Sequence, residues 1–224
     1  MKLGIIAALS TELKATLQAL PPQKSPVVQG LACHECPPFV FAASGVGARP
    51  AAAATLLLAD AQRPEAILSV GFCGALTDDH KTGDLILGGT GGHPATPAIL
   101  DLLRSAAPQA KVGELAMVPK VVTDFDEKRS IWKKTGALAI DMESGAVAVA
   151  AKERGLGFAC VKVVIDTPSD PLASTYAGCL SVLKDVLLRP GTLLLMAYDS
   201  KRVKLASERL RDFFLALKDK LPAS

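Results

Sequence analysis

Short apolar segments of strand length recur along this chain, and most are followed by residues that typically begin a helix. The longest is residues 158–166, in which eight almost wholly apolar residues precede Asp166. An apolar run without polar alternation is typical of a strand buried on both faces, as in the parallel sheets of α/β proteins. The alternation of such strands with helices therefore predicts one α/β domain over residues 1–224, with a largely parallel sheet.

The predicted elements follow from apolar runs, capping residues and the glycines and prolines between them. The predicted strands are residues 2–8, 27–32, 39–44, 66–71, 83–87, 115–118, 137–141 and 158–166. The predicted helices run from Ser10 or Thr11 to residue 20, over 51–62, from Pro94 or Thr96 to 106, and over 143–154, 174–188 and 192–221. Turns are expected at residues 33–38 and 45–47, and a plain turn is one of two alternatives at 71–74. Pro50 is expected at the first position of its helix, and Gly155 just beyond the end of another.

Composition excludes several classes of protein. The chain is 50% hydrophobic, which is too apolar for a disordered chain, and only 4% aromatic, as strands of Val, Ile, Leu and Ala produce. A net charge of +3 without a long basic run gives no support for nucleic-acid binding. No stretch reaches the ~18 apolar residues of a membrane span, and the N-terminal apolar run is interpreted as a strand rather than a signal peptide. Five cysteines without disulfide-framework spacing favour a reduced, cytoplasmic protein.

A glycine-containing segment, SGVGARP, follows one predicted strand and opens a helix. It resembles a dinucleotide fingerprint, but Pro50 stands where the third glycine belongs, and no acidic residue ends the next strand. We therefore expect Ser44, Gly45 and Gly47 to form a turn whose backbone N–H groups face an anion or a sugar hydroxyl.

Two further segments have glycine or cysteine patterns of interest. Gly71 and Phe72 lie in the sequence GFCGA at a predicted strand end, where a glycine lets a ligand approach the backbone closely. The sequence CHEC at residues 33–36 is half of a zinc site, but a closed site needs four ligands and no second pair follows. We therefore expect no metal and no cofactor.

Carboxylates lie where several predicted strands end. Asp141 and Glu143 flank the passage from a strand into a helix, Asp166 ends the longest apolar run, and Glu12 follows the first strand. Each could cap a helix or form a turn, yet together they predict a cluster at one edge of the sheet. A carboxyl beside buried strands is partly desolvated, which raises its pKa and suits it to acid–base catalysis near neutral pH.

Six blocks of sequence resemble the nucleoside phosphorylase/nucleosidase superfamily, in particular its methylthioadenosine/S-adenosylhomocysteine nucleosidase branch. They are MKLGIIAALSTE (1–12), SGVGARPAAAATLLL (44–58), SVGFCGAL (69–76), TGDLIL (82–87), ALAIDMESGAVA (137–148) and FACVKVVID (158–166). TGALAIDMESGAVA, VIDTPSDPL and the tail from VLLRPGTLLLMAY onwards look like the hopanoid-associated branch. The resemblance implies a three-layer sandwich with a central twisted, mostly parallel mixed sheet.

The same resemblance implies roles for individual residues in releasing a base from a purine nucleoside. Asp166 would protonate or hydrogen-bond N7 of the leaving purine, and Glu143 would bind the ribose 2′- and 3′-hydroxyls. Met142 would pack on the sugar, and Glu12 would deprotonate the attacking water. The residues that would pack on the purine are Val121 and Val122.

The chain also departs from the pattern of that family. Phe72 stands where the family often has Ser or Thr, Lys162 stands where Arg is usual, and residues 88–98 form a shorter loop. The shorter loop could leave room for a large 5′-substituent. Because aromatic residues are few, Phe72 and Phe125 are the nearest candidates for stacking on a base.

Hydrolysis and phosphorolysis are alternative outcomes of this chemistry. Ser10-Thr11-Glu12 replaces the Gly-Asp-Pro-x-Arg segment of the phosphorylases, and a carboxylate that repels phosphate can activate water. These features favour hydrolysis, although Arg49 could reach a phosphate. A non-catalytic nucleoside-binding relative is a third alternative.

The sequence is compatible with several substrates and with more than one kind of partner. The candidate substrates are methylthioadenosine, S-adenosylhomocysteine, futalosine and adenosylhopane. We expect a homodimer, to which the Ala-rich helix 51–62 could contribute. The apolar segment 193–198, followed by a basic helix, could contact a membrane surface, or it could belong to an ordinary packed helix.

Overall fold

The computed structural model describes residues 1–169 and 200–221, which form a mixed sheet with helices on both faces. The strands are β1 (Leu3–Ala7), β2 (Val27–Val28), β3 (Leu31–Cys36), β4 (Phe39–Ala43), β5 (Ala66–Ala75), β6 (Leu85–Gly88), β7 (Lys111–Val112), β8 (Leu115–Met117), β9 (Ala139–Asp141) and β10 (Gly157–Asp166). The helices are α1 (Ser10–Ala19), α2 (Ala48–Gln62), α3 (Pro97–Ala106), α4 (Phe125–Thr135), α5 (Ser144–Glu153) and α6 (Ser200–Lys220).

Within the described residues the sheet has ten strands, with the order β2-β3-β4-β1-β5-β10-β6-β7, and β9 pairs with both β5 and β8. Its four central strands, β4, β1, β5 and β10, are parallel to one another. Antiparallel pairs join β2 to β3, β3 to β4, β10 to β6 and β5 to β9. Because parallel strands end at the same edge of a sheet, the carboxyl ends of the central strands lie close together.

Successive side chains of the strands face opposite cores, as the two-residue period of a strand requires. Leu3 and Ile5 of β1 pack into the core that contains α1, α3 and α6, whereas Ile6 packs into the core that contains α2 and α5. The sheet is therefore the middle layer of three. The predicted α/β sandwich with a central mixed sheet is confirmed.

The C-terminal helix α6 lies against α1 and α3 and closes the first core. Phe214 is fully buried, with its ring centroid 5.4 Å from that of Phe39 and 5.1 Å from that of Phe41. The apolar face of α6 thus covers the sheet, and the ordinary packed helix among the two sequence interpretations is confirmed for residues 200–220. The predicted helix at 174–188 and the apolar segment 193–198 lie outside the described residues.

Among residues 1–169 and 200–221, no helix combines the length and the apolarity that crossing a bilayer would need.

The predicted turn at residues 33–38 is shorter in the structure and comprises only Pro37 and Pro38. Residues 31–36 form β3, which pairs with β4 through Cys33 opposite Ala42 and Glu35 opposite Val40. A further reversal, at Gln29 and Gly30, joins β2 to β3, and both residues have positive φ. The polar residues of CHEC concealed a strand whose Cys33 and Cys36 side chains are buried in the cores.

The strand predicted at residues 66–71 is longer in the structure, and a plain turn at residues 71–74 is excluded. Strand β5 continues to Ala75, because β10 pairs with it as far as Gly74 and β9 pairs with Gly74 and Ala75. Paired neighbours supply hydrogen bonds that the glycine-rich sequence alone does not indicate.

Besides β3, two elements were not predicted, namely β7 and α4. Helix α4 is mostly polar, so it lacks an apolar period, but its ends carry capping residues. Asp124 accepts a hydrogen bond from the Glu127 N–H (2.8 Å), and Gly136 ends the helix with φ +67°.

The starts of two helices differ from prediction. Leu9, rather than Ser10 or Thr11, is the N-cap residue of α1, and α2 begins at Ala48, so Pro50 is not its first residue. Gly155 follows α5 with φ +66°, as predicted, and the Leu156 N–H bonds back to the Ala151 carbonyl (3.0 Å).

Candidate active site

A cleft at the carboxyl ends of the central strands gathers the carboxylates that the sequence singled out. Glu12, Glu143 and Asp166 all line it, although they come from distant parts of the chain. The other lining residues are Ala8, Phe72, Cys73, Gly74, Val118, Lys120, Val121, Val122, Ile140, Asp141, Met142 and Ile165.

Glu12 lies in the first turn of α1 and is held by backbone N–H groups. Its Oε2 accepts from the Leu9 N–H (2.8 Å) and its Oε1 accepts from the Phe72 N–H (2.8 Å) on β5. Burial raises the pKa of Glu12 to about 7, against the lowering effects of Lys162 and these hydrogen bonds. A carboxyl with this pKa can exchange a proton near neutral pH.

The backbone of β5 approaches Glu12 closely at Gly71. A Cβ at this position would lie 2.8 Å from the Glu12 carboxyl carbon, and the residue has φ +139°. Glycine is required here on both grounds, because a side chain would push Glu12 away from the Phe72 N–H.

Glu143 is the N-cap residue of α5 and is held from the glycine turn. The Gly47 N–H donates to Glu143 Oε1 (2.7 Å). Burial raises the pKa of Glu143, Lys162 lowers it and Asp141 raises it. The turn thus binds an anion, as expected, but the anion is a side chain of the protein itself.

The other turn residues lie outside the lining of the cleft. The Ser44 hydroxyl donates to the Ala7 carbonyl (3.1 Å), which ties the turn to the end of β1. Gly45 and Arg49 are exposed. Four of the predicted site residues therefore do not line the cleft, namely Ser44, Gly45, Gly47 and Gly71.

Lys162 is a buried cation in the middle of the sheet. Its Nζ lies 2.7 Å from Asp141 Oδ2, and Asp141 also accepts from the Ser144 N–H (3.1 Å). Burial would lower the pKa of Lys162, but Asp141, Glu143 and Glu12 raise it above its usual value. The ammonium group thus stays charged, and its charge opposes the effect of burial on Glu12 and Glu143.

Asp166 lies at the end of β10 and forms an ion pair with Lys128 of α4. The Lys128 Nζ donates to Asp166 Oδ2, and the lysine side chain is fully buried. Burial raises the pKa of Asp166, while Lys128 and Arg202 lower it. Sequence analysis did not identify Lys128, since a lysine in a polar helix carries no sign of burial.

The remaining surface of the cleft is largely apolar. Met142, Val121, Val122 and Phe72 line it. Phe125 begins α4 with 44% of its surface exposed and does not line the cleft, so it is not placed to stack on a base there. The cleft thus combines an apolar wall with three carboxylates.

The fold and the cleft define an α/β protein that gathers buried carboxylates where its parallel strands end. A family model described as the Phosphorylase superfamily matches residues 2–90 and 88–178. The chain therefore belongs to the phosphorylase superfamily, and the resemblance found in the sequence is confirmed.

Curated relatives match part of the chain. It is 31% identical over 94 residues to the 5′-methylthioadenosine/S-adenosylhomocysteine nucleosidases of Shewanella pealeana and Shewanella piezotolerans. The match covers 39% of this chain and 40% of each nucleosidase, so the chain spans less than half the length of the curated relatives it matches.

Solved structures match nearly the whole chain in fold. The nucleosidase of Helicobacter pylori, complexed with an aminopyrrolopyrimidine-substituted pyrrolidinol, has a TM-score of 0.80 at 17% identity and covers 99% of both chains. The futalosine hydrolase of the same organism has a TM-score of 0.77 at 17% identity and covers 99% of this chain and 98% of its own. At these identities the likeness concerns the fold.

Proposed function

We propose that the protein is an N-ribosyl hydrolase that cleaves the N-glycosidic bond of a purine nucleoside and releases the base. The proposal rests on one observation, namely that Glu12, Glu143 and Asp166 line one cleft while each is anchored by different contacts. Membership of the phosphorylase superfamily and the nucleosidase and hydrolase activities named for the relatives support it.

In the proposed reaction, Asp166 donates a proton to N7 of the purine. The bond between C1′ and N9 then breaks, its electron pair goes to the base, and the ribose becomes oxocarbenium-like. A water oxygen forms the new bond to C1′ and gives its proton to Glu12, so that one acid and one base complete the hydrolysis. The raised pKa of Asp166 favours a protonated acid, and the pKa of about 7 of Glu12 allows an ionised base.

Glu143 would hold the ribose. Because the Gly47 N–H occupies Oε1, the other carboxylate oxygen is the one best placed to accept a sugar hydroxyl. Met142 would pack on the sugar, and Val121 and Val122 would pack on the base. Such positioning aligns the reacting carbon with the water and with the acid.

Hydrolysis fits the described part of the chain better than phosphorolysis, because a phosphate nucleophile needs cations that are not already paired. Lys128 and Lys162 each form an ion pair with an aspartate. Lys120 lines the cleft but pairs with Glu127 (3.0 Å), and Arg49 lies outside the lining.

The test follows the release of adenine from 5′-methylthioadenosine by the purified protein, with and without phosphate. We expect adenine and the free sugar in phosphate-free buffer. Release that requires phosphate and yields a sugar 1-phosphate would replace hydrolysis with phosphorolysis. Binding of the nucleoside without any release of base would favour a non-catalytic nucleoside-binding protein.

A matched pair of variants assigns the acid. Asp166→Asn should lower kcat by about 10²–10⁴-fold, since it removes the proton donor but keeps the shape of the side chain. Asp126→Asn, on the exposed face of α4, should leave kcat unchanged. Circular dichroism of both variants checks that the fold is retained.

We further propose that the substrate carries a 5′-substituent, on the basis of the names of the relatives and of the resemblance to the hopanoid-associated branch. Adenosine, methylthioadenosine, S-adenosylhomocysteine, futalosine and adenosylhopane, compared by kcat/KM, would identify it. Unsubstituted adenosine as the best substrate would contradict this proposal.

A cytoplasmic homodimer is proposed as the working form. The four cysteines of the described residues are buried and free, which fits a reducing compartment. The Ala-rich helix α2 is the candidate for contact between subunits. Sedimentation velocity tests the assembly, and a monomer at micromolar concentration would exclude the dimer.

A further inference from the structure

We propose that Lys128 is a positioning residue for Asp166, which it holds through Oδ2 so that the other oxygen can serve the leaving base. The inference rests on the proposed function, because it concerns the acid of that reaction. The Lys128 Nζ donates to Oδ2, and Asp166 lines the cleft whereas Lys128 does not. The lysine therefore contacts the carboxylate from outside the substrate space.

The burial of Lys128 distinguishes it from the other lysines of α4. Lys133 and Lys134 are exposed, as expected in a helix of this polarity, whereas Lys128 has no exposed surface. Removing a lysine from water costs free energy, and a buried ion pair often stabilises a fold no better than apolar residues of similar volume. An ion pair placed on a carboxylate of the cleft is therefore better explained by the function of that carboxylate.

Strand β5 leaves room for the ion pair at Gly74. A Cβ on Gly74 would lie 3.0 Å from Asp166 Oδ1 and 3.4 Å from Lys128 Nζ. The carboxylate is thus enclosed by β10, which carries it, by α4, which supplies the ammonium, and by the bare backbone of β5. Little movement of the carboxylate is possible without moving one of these elements.

Several charged or titratable groups act on this pair. Lys128 and Arg202 lower the pKa of Asp166, Cys73 is buried beside them, and Asp78 interacts with Lys128 from the loop after β5. Because Arg202 remains when Lys128 is replaced, the charge of Lys128 can be removed without leaving Asp166 surrounded only by neutral groups. Loss of that positive charge should raise the pKa of the carboxyl.

Steady-state kinetics of Lys128→Met and Lys128→Arg between pH 5 and pH 9 test the proposal. Lys128→Met should lower kcat by about 10²-fold with little change in KM, because the acid is misplaced while binding groups remain. In the pH profile of kcat, activity falls at alkaline pH as Asp166 loses its proton. This alkaline limb should move to higher pH in Lys128→Met. Lys128→Arg should restore most of kcat and the position of the limb, and Lys133→Met should match the wild type.

Two results would overturn the proposal. One is a folded Lys128→Met variant with wild-type kcat, and the other is a loss of kcat with the limb unmoved, which a merely structural role would give. If Lys128→Met does not fold, Gly74→Ala provides the second variant, since its Cβ should displace Asp166 from Lys128 and lower kcat in the same way. Wild-type kcat in a folded Gly74→Ala protein would also count against the proposal.

A measurement without turnover separates this inference from the proposed function. The Asp166 carboxyl is titrated by NMR in protein labelled with carbon-13 at the aspartate carboxyl, and its signal is assigned with Asp166→Asn. A higher pKa in Lys128→Met than in the wild type supports the role of Lys128, and equal values overturn it. A wild type that releases no base overturns the proposed function instead.

Discussion

Glu12 and Asp166 are both buried carboxylates, but different groups hold them. Glu12 accepts two backbone N–H groups, from Leu9 and Phe72, whereas Asp166 accepts from the ammonium group of Lys128. Burial is the largest effect on Glu12 and, although Lys162 and the two backbone N–H groups oppose it, its pKa rises to about 7. A carboxyl with this pKa is partly ionised at neutral pH, which suits Glu12 to the role of base.

We expect kcat/KM to rise with pH through about 7, since Glu12 must be ionised in the free enzyme to accept a proton from water. Glu12→Gln should lower kcat by about 10²–10⁴-fold and abolish this limb. The pH profile of adenine release measures both effects. A wild-type profile that is flat between pH 5 and pH 8 would contradict the assignment of Glu12 as the base.

The same pKa can be measured from stability. Its folded value, about 7, lies above the ordinary value of 4.5, so the folded state binds the proton more tightly than the unfolded state. The stabilisation is therefore present below about pH 4.5 and is lost as pH rises to 7, by on the order of 3 kcal/mol. Urea unfolding of the wild type, compared with Glu12→Gln at several pH values, should show this decline only in the wild type.

Gly71→Ala should disturb the site more than an ordinary glycine substitution. The new Cβ would clash with the Glu12 carboxyl, and the alanine would also have to adopt a positive φ. Gly30→Ala is the control, because its φ is +87° and nothing lies within 4 Å of the new Cβ, so only backbone strain of about 1–2 kcal/mol applies. We expect kcat to fall at least about 10-fold in Gly71→Ala alone, as misplaced catalytic groups cause. Equal effects of the two substitutions would show that contact with Glu12 is unimportant.

The positions of the cleft carboxylates depend on the packing of strands and helices in the two cores. Helix α6 illustrates this, since it contributes no described residue to the cleft but closes the core beneath α1, which carries Glu12. The amphipathic pattern of α6 was evident in the sequence, whereas the polar helix α4 was recognisable only from its caps. The periodic spacing of apolar residues thus predicted the helices that cover the core, but it did not predict α4, the helix that supplies Lys128.

Phe214→Ala should lower the free energy of unfolding by about 3–5 kcal/mol, because it leaves a cavity among buried rings. Its ring is fully buried against Phe39, Phe41 and Phe213. Phe125→Ala serves as the matched control, since that ring is 44% exposed and its loss should cost at most about 0.5 kcal/mol. Denaturant unfolding measures both, and similar losses would contradict the packing of α6 described above.

The molecule as a whole brings together groups that are far apart in sequence. Glu12 lies near the N-terminus, Glu143 follows β9, and Asp166 ends β10, yet all three line one cleft. A site assembled in this way should exist only when the central sheet is formed. Binding of a ligand should therefore stabilise the whole fold.

A non-hydrolysable analogue of the nucleoside at 100 times its Kd should raise the free energy of unfolding by about 2.7 kcal/mol. Thermal unfolding with and without the analogue measures the effect. Glu143→Gln should reduce the increase, because it weakens the contact with the sugar, while Lys133→Met should leave it unchanged. An equal increase in all three proteins would mean that the ligand binds elsewhere.

The sequence by itself determined the class of fold, the positions of most strands along the chain and three carboxylates of the cleft. Apolar runs of strand length define a sheet buried on both faces, and the carboxyl ends of its parallel strands place Glu12 and Asp166 at one edge. Glu143 lines the same cleft just after β9, which is antiparallel to β5. These inferences succeed because they depend on local patterns. The continuation of β5 past Gly71 was missed because it depends on pairing with β9 and β10.

Only the tertiary structure decided which groups act on each carboxylate. The Phe72 N–H on Glu12, the Gly47 N–H on Glu143 and Lys128 on Asp166 join residues 38 to 96 positions apart. A residue carries no local sign of such a partner, because the partner is chosen by packing in three dimensions. Burial and neighbouring charges, which set the pKa of each acid, arise from the same packing.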